Sequence, residues 1–370
     1  MPDSNFPSGT ALVCPLDWGL GHASRCIPII HALQKHGYRV VVAADGLPLR
    51  FLKEEFGSRL EYLLFPGKTV NYQKNGSFLW AFALQMPGFF EAIRNEHKYL
   101  NRLIDITGAS LVVSDNRYGL FSHRAKTVLI THQVFIKLPP GLQWAAPFVG
   151  KLVRTFMNRF DFCWIPDNFD PPGLSGELSH LAPVPTNTRF VGPLSRFSAI
   201  SPDEEINPLP PEFQEKFYFA ILSGPEPQRG ILEQILFLQF AKLQLPVVFA
   251  LGKPGEKHLH FTGAMISGNH FNTREMAWLF KNAKMVICRS GYSTIMDLSV
   301  FGLKALLIPT PGQTEQEYLA EFLKSSGRAF SIPQAQLSLH EHLSLAGKYT
   351  GIIHQKPANK LDEAISELVQ

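Results

Sequence analysis

The sequence predicts an α/β protein of two domains, each a parallel sheet covered by helices. Three observations carry this. The chain has 370 residues, more than one core commonly organises. Short apolar runs alternate with helical patterns in both halves, the rhythm of strand–helix–strand units. A Pro/Gly-rich irregular stretch, residues 166–211, separates the halves.

In the first half, runs at 11–14, 39–43, 60–65, 111–113, 127–130 and 162–165 read as buried strands. Helical patterns at 23–35 and 79–104 lie between them, and 189–191 reads as the last strand before the linker. In the second half, strands are expected at 217–222, 247–251, 265–267, 285–288 and 305–308, with helices at 229–242 and 274–281. Residues 359–369 suit a closing helix. The expected division is a first lobe 1–195, a linker 196–212, a second lobe 213–356 and a terminal helix 357–370.

Hydrophobic residues make up 45% of the chain and charged residues 18%, which fits a core-rich fold. The net charge of +4 is too small for a dedicated nucleic-acid binder without a clustered patch. It is compatible with phosphorylated ligands or an anionic membrane surface. Cys14, Cys26, Cys163 and Cys288 are scattered and form no C-x-x-C pair, so reduced, buried thiols and a cytoplasmic protein are expected. Residues 1–10 lack a basic segment followed by an apolar core, and no signal peptide is expected. The apolar run 78–84 is far short of the roughly 20 residues that span a bilayer. No Asp-x-Asp is present. The pairs His258/His260 and His340/His342 read as solvated loop histidines, so no metal is expected.

The most informative stretch is 285–297. A strand runs into the Ser290-Gly291 turn and a helix begins at once, offering backbone N–H groups and a partial positive charge to a phosphate. Asp297 lies less than two turns into that helix, placed to accept from ribose hydroxyls. Strand 305–308 leads through Pro309-Thr310-Pro311-Gly312-Gln313 into a second helix start at Thr314. Two adjacent strand–loop–helix units with polar tips suit a nucleoside diphosphate.

The turn after the first strand carries Gly19, Gly21, His22 and Arg25. The glycines permit a tight turn and close approach of a ligand. A dinucleotide site, with Asp45 as its acid, is the rival reading, but Ser24 stands where a third glycine belongs. His22 is either a structural helix-start histidine or a general base, its pKa lowered by the helix terminus. Arg25 reads as a phosphate ligand or a solvated helix arginine. Asp115, at the carboxyl end of its strand, reads as a catalytic base or as the cap of a following helix.

Cys288-Arg289-Ser290-Gly291 and Thr294 resemble glycosyltransferase family 28, the group containing the peptidoglycan N-acetylglucosaminyltransferase MurG. The resemblance is strongest over 272–330. Asp297 replaces the family's ribose-binding Glu, and Gln316-Glu317 stands for Gln-Gln. His132 falls on a family Glu. Gly192-Pro193-Leu194-Ser195-Arg196 is similar to Gly-Asn-Pro-x-Arg, offset by one. Ser223-Gly224 opens a loop with one glycine and two prolines where the family has Gly-Gly-Ser-x-Gly.

The resemblance implies the GT-B architecture, two Rossmann-like lobes with parallel sheets facing across a cleft, with the terminal helix 357–370 crossing back onto the first lobe. It implies an inverting, metal-independent transferase using a UDP-sugar (a hexose or N-acetylhexosamine) and no cofactor. Donor contacts would come from Arg196, Ser223, Gly224, Thr273, Ser290, Gly291, Thr294, Asp297, Gln313, Gln316 and Glu317, with the base His22 or Asp115. Glu317 also fits a capping box with Thr314. The acceptor is open, a lipid-linked compound or a glycan among the candidates. Within 135–160, Lys137, Lys151, Arg154 and Arg159 interleave with Trp144, Phe148 and Phe156. This stretch is either an interfacial helix at the inner face of the membrane or ordinary core packing. The alternatives are a UDP-sugar hydrolase or 2-epimerase, and a non-catalytic sugar-nucleotide-binding subunit.

Overall fold

The computed structural model describes residues 8–17, 19–66, 78–138, 141–181, 184–211, 213, 216–253, 258–353 and 360–368. The readings that rest on residues 1–7, on Trp18 and on the side chains of 78–84 lie outside this set. The chain divides into two units: residues 1–194 with 357–370, and residues 195–356.

The first unit runs β1 (Gly9–Cys14), α1 (Leu20–Lys35), β2 (Tyr38–Ala44), α2 (Gly46–Phe56), β3 (Glu61–Leu64), α3 (Phe78–Thr107), β4 (Ala109–Asp115), β5 (Lys126–Ile130), α4 (Ala146–Met157), β6 (Phe162–Ile165), α5 (Glu177–His180) and β7 (Thr188–Phe190). Its sheet is parallel, in the order β3-β2-β1-β4-β5-β6-β7. Leu12, Val13, Val112 and Leu129 are fully buried, as strands covered on both faces require. The chain winds outward from β1, then returns to β4 and winds the other way. Ligands in such sheets bind at that reversal, beyond the strands' carboxyl ends. Cys14 pairs with Ser114, so the turn after β1 and the residue Asp115 lie side by side there.

The second unit runs β8 (Tyr218–Ile221), α6 (Gln228–Leu243), β9 (Val247–Ala250), β10 (Leu259–Thr262), β11 (Met265–Gly268), α7 (Thr273–Asn282), β12 (Met285–Cys288), α8 (Tyr292–Phe301), β13 (Ala305–Leu307), α9 (Thr314–Ser325), β14 (Phe330–Ser331) and α10 (Leu339–Ala346). The order is β10-β11-β9-β8-β12-β13-β14, and all neighbours are parallel except β10 with β11. The reversal falls between β8 and β12, with Ile221 opposite Cys288 and Cys288 opposite Leu307.

α11 (Lys360–Glu367) belongs to the first unit. Ala364, Ile365 and Leu368 are buried, and Asp362 accepts from Lys35 at 2.7 Å while lying 3.1 Å from His36.

Several local expectations change. His258 and His260 belong to a hairpin, not a free loop: His260 lies in the edge strand β10 and His258 just before it. His342 is buried, and its Nδ1 accepts from the Ser338 amide at 3.0 Å, securing the start of α10. Asp45 caps α2 by accepting from Gly46 N at 2.7 Å, which gives it a role without a dinucleotide. The 135–160 stretch divides: Phe156 packs inward at 4% exposure, whereas Trp144 and Phe148 are each 72% exposed. All four cysteines are buried, and burial pushes the thiols of Cys14 and Cys288 up to about 12. Among the described residues, no helix is long and apolar enough to cross a membrane.

Candidate active site

At the reversal of the first sheet, α1 starts after Gly19, whose φ of +82° favours glycine. One turn in, α1 presents His22 and Arg25 to the end of β4. Arg25 donates from Nε to Asp115 Oδ2 at 2.7 Å and from Nη2 to Oδ1, a bidentate pair. Arg25 is 1% exposed and Asp115 fully buried. Arg25 is therefore not a solvated arginine: it is buried and paired with Asp115. Nor does Asp115 cap a helix, since bends and turns follow β4.

His22 Nδ1 lies 3.3 Å from Asp115 Oδ2 and 2.9 Å from Arg25 Nη2. Its side chain retains 16% exposure against 1% for Asp115, so the imidazole is the solvent-reached end of the cluster. Arg25 Nη1 also lies 3.4 Å from His132 Nδ1, which is buried. Burial raises the Asp115 carboxyl, but Arg25 and His22 outweigh it and hold it at about 2. Burial lowers the His22 pKa and Arg25 lowers it further, against the opposing pull of Asp115. A carboxylate with a pKa near 2 and no exposure is a poor proton acceptor at neutral pH. A neutral, partly exposed imidazole is a good one.

A second network, unseen in the sequence, ties the two loops. Arg117 donates to Glu96 at 3.0 Å and to the Pro15 carbonyl at 3.2 Å, lies 3.4 Å from Asp17, and stacks 4.0 Å over the Phe65 ring. Glu96 in turn accepts from Gly119 N at 3.1 Å.

At the reversal of the second sheet, Gly291 is the N-cap of α8, and no side chain caps it. Ser290 is fully buried and donates to the Gln316 carbonyl at 2.7 Å, so it joins the starts of α8 and α9. Thr294 is the third residue of α8 and half-buried. Asp297 is 8% exposed and accepts from Ser195 Oγ at 2.7 Å. Burial raises its carboxyl to about 6, against the lowering effects of Arg196 and Ser195. The carboxylate expected to accept from ribose hydroxyls thus has one oxygen engaged by Ser195. Arg196 is half-buried and packs 4.9 Å from the Phe197 ring. Together with burial, it lowers His270 to about 4.

Gln316 differs most from its reading as a sugar ligand. Its Oε1 accepts from Thr310 N at 2.9 Å and its Nε2 donates to Gln313 Oε1 at 2.6 Å, so both ends brace the 310–313 loop. Glu317 accepts from Gly312 N at 2.9 Å, and Gln313 rather than Thr314 is the N-cap of α9. The capping box forms elsewhere, between Asn272 and Glu275, with both bonds at 3.0 Å. It sets Thr273 as the buried first residue of α7.

Gly224 has a φ of +99° and is exposed, and Ser223 is half-buried. Glu226 accepts from Gly230 N at 3.0 Å and also pairs with Arg229. The start of α6 therefore already faces a carboxylate, which leaves α8 as the better anion site. Arg289, 1% exposed, donates to the carbonyls of Ile308 and Pro309, each at 3.1 Å. It also donates to the Gln228 carbonyl at 2.8 Å and to Gln334 at 2.6 Å, clasping the ends of β12 and β13 to the start of α6.

Two parallel-sheet α/β lobes, each with a polar cluster at its reversal, form the GT-B architecture. Comparisons agree. Residues 233–365 match the glycosyltransferase family 28 C-terminal domain. A chain from Methanosarcina acetivorans described as an uncharacterized glycosyltransferase is 26% identical over 84% of this chain and 80% of its own. The UDP-N-acetylglucosamine–N-acetylmuramyl-(pentapeptide) pyrophosphoryl-undecaprenol N-acetylglucosamine transferase of Pasteurella multocida is 36% identical over 20% of this chain and 21% of its own. The glycotransferase of kitacinnamycin superposes with a TM-score of 0.63 at 15% identity, covering 98% of this chain and 94% of the other. The spinosyn rhamnosyltransferase SpnG, solved with thymidine diphosphate, does so at 0.56 and 17% identity, covering 97% and 96%. Residues 233–365 thus carry a family 28 C-terminal domain, and the chain is a glycosyltransferase similar to MurG.

Proposed function

We propose that this enzyme transfers a sugar from a UDP-sugar to an acceptor hydroxyl with inversion, without a metal, and with His22 as general base. The observation that carries the proposal is the His22–Asp115–Arg25 cluster at the reversal of the first sheet. In this proposal His22 carries its proton on Nδ1, donated to Asp115 Oδ2, with the neighbouring Arg25 Nη2 hydrogens directed to Asp115 Oδ1, so that Nε2 is left to take the acceptor's proton. Asp115, ionised throughout, stabilises the imidazolium that forms, and Arg25 fixes Asp115. The oxygen thus activated attacks the anomeric carbon and the nucleoside diphosphate departs. The start of α8 and Arg196 stabilise the departing charge. The hexose or N-acetylhexosamine reading of the donor rests on the family 28 match to the second unit.

A lipid-linked acceptor and peripheral attachment to an anionic membrane are part of the proposal. They are supported by Trp144 and Phe148, both exposed at the start of α4 and followed by exposed Lys151.

The test is a thermal-shift screen of UDP, dTDP and their sugars, followed by radiolabelled transfer with the best donor in EDTA. A native-state ligand raises the melting point. A UDP-sugar hit with transfer that persists in EDTA is expected. Rapid release of free sugar without acceptor, or formation of an epimer, would replace transfer with hydrolysis or epimerisation. No shift with any nucleotide would remove the donor reading.

A further inference from the structure

Two side-chain atoms beside the start of α8 are buried with no hydrogen-bond partner: Thr310 Oγ1 and Arg289 Nε. Thr310 is 3% exposed and Arg289 1%. Buried polar groups in native folds are nearly all paired, so an orphaned hydroxyl calls for a reason such as an absent ligand. Its position supplies one. The strand order is β8-β12-β13, Gly224 follows β8, and Thr310 follows β13. A Cβ placed on Gly224 would stand 3.9 Å from Thr310 Oγ1. The hydroxyl therefore faces the loop after β8, and the loops that follow β8 and β13 approach each other at the carboxyl end of β12, the strand between them. Arg289 holds it there, because its donations to the Ile308 and Pro309 carbonyls fix the peptide that leads into Thr310.

Arg289 and the uncapped start of α8 favour an anion here, whereas Glu226 and Glu317 occupy the flanking starts of α6 and α9. The four hydrogen-bond acceptors of Arg289 are neutral oxygens. α8 has no acidic residue in its first turn, whereas α9 has Glu315 and Glu317. We propose that Thr310 donates its hydroxyl hydrogen bond to the diphosphate of the donor nucleotide, and so discriminates nucleoside diphosphates from monophosphates. This rests on the donor reading above. The sequence resemblance assigned Thr310 no part.

Calorimetric titration of UDP, UMP, dTDP and dTMP into the wild type, Thr310→Val and Thr310→Ser tests it. Valine keeps the shape and deletes the donor. In Thr310→Val, the Kd for the diphosphate should rise about tenfold or more, as for a hydrogen bond to a charged group. The monophosphate Kd should stay unchanged, and Thr310→Ser should stay close to the wild type. The ligand-free melting point of Thr310→Val should not fall, because the hydroxyl has no partner to lose. Wild-type diphosphate affinity in Thr310→Val would overturn the assignment, as would equal weakening of both phosphates or a fallen melting point. Failure of the wild type itself to bind any of the four would overturn the donor reading, and this inference with it.

Discussion

Asp115 holds Arg25 by two hydrogen bonds and has His22 3.3 Å away, and of the three side chains only the imidazole is appreciably exposed. Two expectations follow. His22→Ala should lower kcat by about 10²–10⁴-fold while donor affinity stays within a factor of two, read by steady-state kinetics and titration. The same rate should fall in the wild type as pH drops, with a midpoint below the ordinary histidine value of 6.5, because the protonated ring is no base. Unchanged kcat in His22→Ala would leave the cluster a structural role alone. Asp115→Ala should instead cost stability, about 3–5 kcal/mol, by leaving Arg25 buried without its counter-ion. Asp115 is held below its ordinary value of 3.8, so its contribution is present above that pH and lost as pH falls towards about 2. Denaturant titration at pH 7 and pH 3 reads both effects. The sequence placed His22 and Arg25 in the turn after the first strand and Asp115 at the end of another strand, but did not bring them together, because which side chain neutralises a buried arginine depends on the cross-sheet register of Cys14 with Ser114.

At the scale of elements, local chemistry was legible where one strand and one helix start sufficed. β12 falls on the expected residues, and the turn into α8 was readable from Ser290-Gly291. The braces between loops were not. Gln316 looked like a ligand because its partners, Thr310 and Gln313, are fixed only once the loop closes. Ser195 meets Asp297 across 102 residues of sequence, and no periodicity announces that. The Asn272–Glu275 box was present as Asn-x-x-Glu and went unread. Antiparallel β10 and the two-residue β14 are too short or too exposed to carry an apolar pattern. α4 was readable as amphipathic, yet its sequence did not tell inward Phe156 from outward Phe148. Trp144→Ser with Phe148→Ser should abolish co-sedimentation with vesicles containing anionic lipid. Turnover of a soluble acceptor should be unaffected. Undiminished vesicle binding would assign this face no membrane role.

For the whole molecule, two sheets with the same winding place their polar clusters at equivalent points, at the β1/β4 and β8/β12 reversals. The alternation of strands and helices made that division visible in the sequence. The return of α11 to the first unit depends on Asp362, Ala364 and Ile365 finding α1 and its neighbours, a long-range fit that composition does not encode. The account stands on the second unit seating a nucleoside diphosphate at the start of α8. Amide hydrogen exchange with and without saturating UDP measures this directly. It should show slowed exchange centred on residues 290–294 and 310–313, with the first unit's α1 little changed. Protection confined to other segments, or none anywhere in 216–353, would contradict it.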